Sequence, residues 1–187
     1  MTTRILVAAI RSTGTQPAKH SIVDLGAVWL TGGVDEDLFS QKCSAFDGAV
    51  FSDRISELTG ITEGMATDPY CPDEGQVVAK FVHWAGAKNE PVILAGLRPG
   101  MVRAFVLAAV RRNQSSLHPG ELPKFHPRCL DMHSLFVRYC MANGVPVPSR
   151  GFHPSEMFAH FDLQPSSFSM DAVDSAELQC ELIKKLI

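Results

Sequence analysis

Two short runs set histidine beside other metal-compatible side chains: His126, Cys129 and His133, and His153, Glu156 and His160. Imidazole, thiolate and carboxylate suit zinc, but a structural zinc needs four ligands in a tetrahedron, and neither run supplies them alone. His153-Pro154-Ser155-Glu156 also reads as a helix start with an acid in its first turn. Cys43, Cys71, Cys129, Cys140 and Cys180 form no Cys-x-x-Cys pair and have no base beside them in sequence. Core or surface thiols are expected, rather than nucleophiles, a disulfide framework or a zinc ribbon. Gly32-Gly33 follows a strand-like run but leads into no helix, so no glycine loop cradles a phosphate. Asp131 stands where a helix N-cap is wanted, and Asp171 in the first turn of a last helix, where the dipole favours an acid.

The elements that must position these side chains follow from periodicity. Ile5–Ile10 and Ser21–Leu30 are apolar, strand-like runs joined by a polar loop, an antiparallel pair. Residues 37–46 make a third strand of the meander. Ser52 or Asp53 caps a short helix closing at Gly60. Pro72-Asp73-Glu74 opens a helix whose Val77, Val78, Phe81, Trp84 and Ala85 face the core. Residues 91–95 are a short strand, and Pro99 starts a helix with Val102, Phe105, Val106, Ala109 and Val110 as its buried stripe. Residues 114–124 are a polar loop, 125–130 a last strand, and 131–142 a helix. Residues 144–151 connect to a short helix from Pro154 to near Asp162. The last helix starts near Ser169, with Val173, Ala176, Cys180, Ile183 and Ile187 along one side. Three strands followed by helices alternating with strands give an α/β layered fold over residues 1–187 as one domain.

Bulk properties bound the function. The 187 residues are 45% hydrophobic, 20% charged and carry a net charge of −3, so no global basic field drives non-specific nucleic-acid binding. No run approaches the ~20 apolar residues of a membrane span, and no secretory leader is visible. A reducing cytoplasm is the expected compartment.

Residues 4–31 resemble the opening of the DEDD-type (DnaQ-like) 3′–5′ exonucleases, where the first strand ends in Asp-x-Glu-Thr-Thr-Gly. Here Ala9-Ile10-Arg11-Ser12-Thr13-Gly14 stands in that place, followed by Ile22-Val23-Asp24-Leu25-Gly26-Ala27-Val28 for the family's second strand. Thr59-Gly60-Ile61-Thr62-Glu63-Gly64-Met65 is similar to the family's His-Gly-Ile-Thr-x-x-Met segment. The resemblance implies a ribonuclease-H-like exonuclease fold: a mixed five-stranded sheet, with the antiparallel meander plus two further strands, flanked by helices.

The family's chemistry uses two divalent metals held by four carboxylates, with a His or Tyr as general base. The resemblance puts Ala9, Arg11 and Met101 at three of the acid positions and keeps only Asp174 at the fourth; the base position falls on Ser169, or Met170 with a one-residue shift. Loss of the metal site is expected, since an arginine at a ligand position repels a divalent ion. The implied function is a catalytically inactive, exonuclease-like protein that binds nucleic acid or a protein partner, with no cofactor. The alternative is a Mg²⁺- or Mn²⁺-dependent 3′–5′ exonuclease on single-stranded DNA or RNA, its site rebuilt from Asp174 with Asp171, Asp24 or Asp131. A third is a structural or regulatory subunit without nucleic-acid contact. Arg11 has two readings: an ion pair with Asp174, or, with Thr13, Arg98 and Arg103, a phosphate site in which guanidinium replaces the metal charge. Self-association is a further expectation carried by the family.

Overall fold

A computed structural model describes residues 4–86, 91–113, 124–164 and 170–187. Strands β1 (Arg4–Ser12), β2 (Ile22–Thr31) and β3 (Val34–Lys42) form the antiparallel meander. Helices α1 (Asp53–Thr59), α2 (Glu63–Ala66) and α3 (Glu74–Gly86) follow. Then come β4 (Ile93–Gly96), α4 (Pro99–Arg112), β5 (Leu130–Asp131), α5 (Met132–Ala142), α6 (Pro154–Ala159) and α7 (Ala172–Leu186). The sheet order is β3-β2-β1-β4-β5, with β4 parallel to both β1 and β5. This mixed five-stranded sheet between helical layers is the ribonuclease-H-like exonuclease fold that the sequence resemblance implies.

β1 is central, and its side chains alternate between two cores. Leu6 and Ala8 pack with α3 and α4, against Phe81, Phe105 and Val106. Ile5, Val7 and Ala9 pack with α5, α6 and α7, against Phe136, Met157 and Ile183. A strand covered on both faces must be apolar throughout, which is why residues 5–10 read as an unbroken hydrophobic run. The helical stripes of α3 and α4 are buried as their spacing requires, with Trp84 half-exposed and giving its indole N–H to Asp37 at 2.8 Å. One glycine is obligatory. A Cβ on Gly26 would lie 2.1 Å from the Val173 backbone nitrogen, so α7 can rest on β2 only because that side chain is absent.

Several boundaries differ from the sequence reading. The third strand lies at Val34–Lys42 rather than 37–46, because it pairs with β2 directly across the Gly32-Gly33 turn. The last strand shrinks to Leu130–Asp131; Phe125 makes only an isolated bridge with Val92. Helix α2 escaped a periodicity search because it is four residues long. The Thr62 hydroxyl accepts the Met65 N–H and fixes its start. The last helix begins at Ala172, and Ser169 lies outside the described residues. On it Val173 is half-buried and Ile187 exposed, while Leu182 and Gln179 join the buried face.

Candidate functional site

The carboxyl ends of β1 and β4, the start of α4 and the segment leading into α6 enclose a cavity of about 510 Å³. Ala9 and Met101 line it, so it coincides with the place where the resemblance puts two family acids. Its charged and titratable lining is Arg98, Arg150, His133 and His153; among the described residues no Asp or Glu contributes. Gln179, buried on α7, accepts the Leu97 N–H at 2.8 Å and donates to the Ser175 hydroxyl at 3.0 Å. That amide ties α7 to the end of β4. Gly96 makes the approach possible: a Cβ there would sit 2.8 Å from the Gln179 oxygen, and its φ of +145° suits glycine.

The two histidines are held by backbone donors. Phe152 N–H donates to His133 Nε2 at 3.2 Å, and Ser155 N–H to His153 Nδ1 at 3.4 Å. With those nitrogens accepting, His133 Nδ1 and His153 Nε2 are the ring nitrogens left to donate, and the Ser155 hydroxyl also lies 2.8 Å from His153 Nδ1. Arg150 is shared with Glu156, whose carboxylate also accepts the His153 N–H at 2.6 Å. Hydrogen bonding to Arg150, and then to that N–H, holds the Glu156 carboxyl below its ordinary value. Arg98 is exposed and makes no ion pair among the described residues.

Arg11 belongs to a different cluster. The strand register sets Arg11 opposite Asp24 and Asp24 opposite Lys42. The Arg11 guanidinium lies 3.7 Å from Asp171, not Asp174, and donates to the Thr59 carbonyl at 2.5 Å. Lys42 reaches the same Asp171 oxygen at 3.1 Å. Asp24 is buried and accepts the Ala172 N–H at 2.9 Å, closing the start of α7 from a neighbouring strand. Burial, the largest influence, pushes its carboxyl above the ordinary aspartate value; the Ala172 N–H opposes that, Asp171 adds to it, and Lys42 and Arg11 oppose it. The expected Arg11–Asp174 pair is thus replaced by Arg11–Asp171. Asp171 stands at the N-cap of α7, three residues earlier and facing the carboxyl end of β1 that Arg11 occupies. Asp174, half-buried in the first turn of α7, makes no ion pair among the described residues, and the next residue, Ser175, lines the large cavity.

The phosphate set read from the sequence does not converge. Arg98 lines the large cavity, whereas Arg11 lines a separate one of about 190 Å³ with Asp24, Lys42 and Cys43. Thr13 is buried, its hydroxyl donating to the Val50 carbonyl and accepting from Ser21 N–H. Arg103 reaches the Pro127 carbonyl at 3.4 Å. His133, His153, Arg150, Ser175 and Gln179 were not singled out for this cavity. They come from segments far apart in the chain, and no local spacing announces that they meet.

A pair of divalent ions would need several carboxylates converging on the cavity. The present donors do not fit: Asp24 closes α7, Asp171 is paired with Lys42 and Arg11, and Asp131 caps α5 by accepting the Ser134 N–H at 3.0 Å. Among the described residues no three His, Cys, Asp or Glu side chains gather as a metal set. His160 packs edge-on against Phe136 and Phe161, and Glu156 is held by Arg150, so that run is spent on packing and capping. All five cysteines are free thiols.

No family model matches the chain. Over 81 residues, 43% of the chain, it is 31% identical to the DNA polymerase III subunit epsilon of Aquifex aeolicus and 33% identical to the PolC-type DNA polymerase III of Bacillus cereus. The matched stretch spans 38% and 5% of those relatives. In solved structures the fold is that of E. coli exonuclease I in complex with a dT13 oligonucleotide (TM-score 0.77, 15% identity, 98% of this chain and 40% of that one). It is also that of the nuclease domain of 3′hExo, a DEDDh family member bound to rAMP (TM-score 0.66, 18% identity, 97% and 90%). The epsilon-subunit match is a similarity over 43% of the chain, and the structural matches show that the fold is that of the DnaQ-like exonucleases.

Proposed function

We propose that this protein is an exonuclease-like nucleic-acid-binding module that holds a single strand without cleaving it. One observation carries the reading: the cavity that holds Ala9 and Met101, where the resemblance puts two of the family's acids, is lined by Arg98, Arg150, His133 and His153, with no carboxylate among the described residues. Cations at that place attract the phosphate backbone and repel the metals that hydrolysis needs. That a structural neighbour was crystallised with an oligonucleotide supports strand binding in this fold. The free thiols suit a reducing compartment such as the cytoplasm. No helix among the described residues is long and apolar enough to cross a membrane.

A second reading, an active Mg²⁺- or Mn²⁺-dependent 3′–5′ exonuclease, draws on Asp174, which is free of ion pairs among the described residues and adjoins the cavity. A 5′-labelled single-stranded oligonucleotide, incubated with either metal and with wild type or Asp174→Ala, separates the two. Intact strand throughout supports the binding module. Shortening that disappears in the variant supports the rebuilt enzyme.

A further inference from the structure

The lining of the large cavity is unusual in its hydrogen-bonding character as well as its charge. Arg98 offers a whole guanidinium, and Arg150 the donors that Glu156 leaves unused. His133 Nδ1 and His153 Nε2 are donors because the other ring nitrogens already accept backbone N–H groups. The Ser175 hydroxyl accepts from Gln179, so its own hydrogen is also available. The side chains that could have accepted are spent or missing: the Gln179 oxygen is on Leu97 N–H, and Ala9 and Met101 bring no polar group. The positive end of α4, a 14-residue helix, lies at the same wall. A pocket of donors wants a ligand of acceptors, and one with more than a single negative charge.

We propose that this cavity recognises a phosphomonoester directly, without an intervening metal: the terminal phosphate of a nucleic-acid strand, or the phosphate of a nucleoside monophosphate. A phosphomonoester carries about −1.5 to −2 charge at neutral pH and three acceptor oxygens, against the single charge of a backbone diester. Arg98 supplies the planar two-point contact that suits such a group. His153 and His133 complete the donor ring. The volume of about 510 Å³ is of the order that holds one small ligand. This inference rests on the strand-binding reading above and adds the chemistry of the end that is held.

The test is binding in EDTA of one fluorescent oligonucleotide sequence prepared with a 3′-phosphate, with a 5′-phosphate, and with hydroxyl at both ends. Adenosine 5′-monophosphate and inorganic phosphate serve as competitors. One phosphorylated end is expected to bind about tenfold tighter than the hydroxyl-ended strand, the worth of one extra charge-assisted contact. Arg98→Gln is expected to abolish that preference. Arg98 makes no ion pair among the described residues and its side chain does not cap α4, so the variant folds. Arg103→Gln, whose side chain reaches the Pro127 carbonyl, retains the preference. Competition by the monophosphate at the affinity of the phosphorylated strand identifies a free nucleotide as the ligand; failure to compete identifies the strand end. Equal binding of all three strands overturns the inference and leaves the strand-binding reading standing. Absence of binding by any strand or by the monophosphate overturns both. Binding by the monophosphate alone overturns the strand reading and keeps the phosphomonoester site.

Discussion

Replacing Arg11 by the glutamate that the resemblance puts at this place is expected to weaken the fold rather than to restore an enzyme. The guanidinium is 3.7 Å from Asp171. At an effective dielectric of ~20 that pair is worth about 4 kcal/mol before solvent is considered. The Asp171 side chain is 42% exposed, so screening reduces the net value to about 1 kcal/mol. Loss of the charged hydrogen bond to the Thr59 carbonyl adds about 1.5 kcal/mol. The new carboxylate would also face buried Asp24 across the strand pair, a like-charge contact of about the same size as the lost pair with sign reversed. The total for Arg11→Glu is about 3.5 kcal/mol, a fall in Tm of roughly 7–14 °C. Arg11→Met, which loses the pair and the carbonyl contact without adding an acid, should fall about two thirds as far. Differential scanning calorimetry on the three proteins reads both. An Arg11→Glu protein as stable as wild type would refute the view that Arg11 has become a structural cation.

Three other perturbations test the architecture around the cavity. Asp24 has a raised folded-state pKa, so as pH climbs from its unfolded value of 3.8 the unfolded chain releases the proton first and stability is lost. Asp24→Asn keeps an acceptor for the Ala172 N–H and should be at least as stable as wild type at pH 7, the difference shrinking below the ordinary carboxylate range; Asp24→Ala should cost about 1 kcal/mol by chemical denaturation. Gly26→Ala drives a methyl into the α7 backbone and should lower stability by about 1–3 kcal/mol, with amide exchange rising in α7 first. Glu74→Ala removes a carboxylate that is 1% exposed and holds Arg112, Ser21 and the Ile22 N–H, so a loss of about 3–5 kcal/mol is expected in urea unfolding.

The layers were legible in the sequence because each rests on local periodicity. The apolar run of β1, the stripes of α3 and α4, and the glycine ending α1 each state their environment within a few residues. The cavity was legible only by subtraction, through Ala9, Arg11 and Met101 at positions where the family has acids. Its new lining was not, because Phe152 fixes His133 from 19 residues away and Gln179 meets Leu97 across 82. The same holds for Asp24, whose partner on α7 is 148 residues distant. Such pairings are set by the sheet register and by helix docking, which no single segment encodes. Arg11 is instructive here: the sequence reading pairs it with Asp174, and docking of α7 brings Asp171, at its N-cap, within reach instead.

The most direct measurement is the anisotropy of a labelled single strand titrated with wild-type protein in EDTA, and again with Mn²⁺, at 50 and 200 mM salt, with the strand length checked on a gel afterwards. Cations in the cleft should give binding in EDTA that Mn²⁺ does not strengthen, that weakens as salt rises through counterion release, and that leaves the strand full length. Binding that appears only with Mn²⁺, or a strand shortened in its presence, would contradict the proposal that arginine and histidine serve in this cleft where the family uses metal.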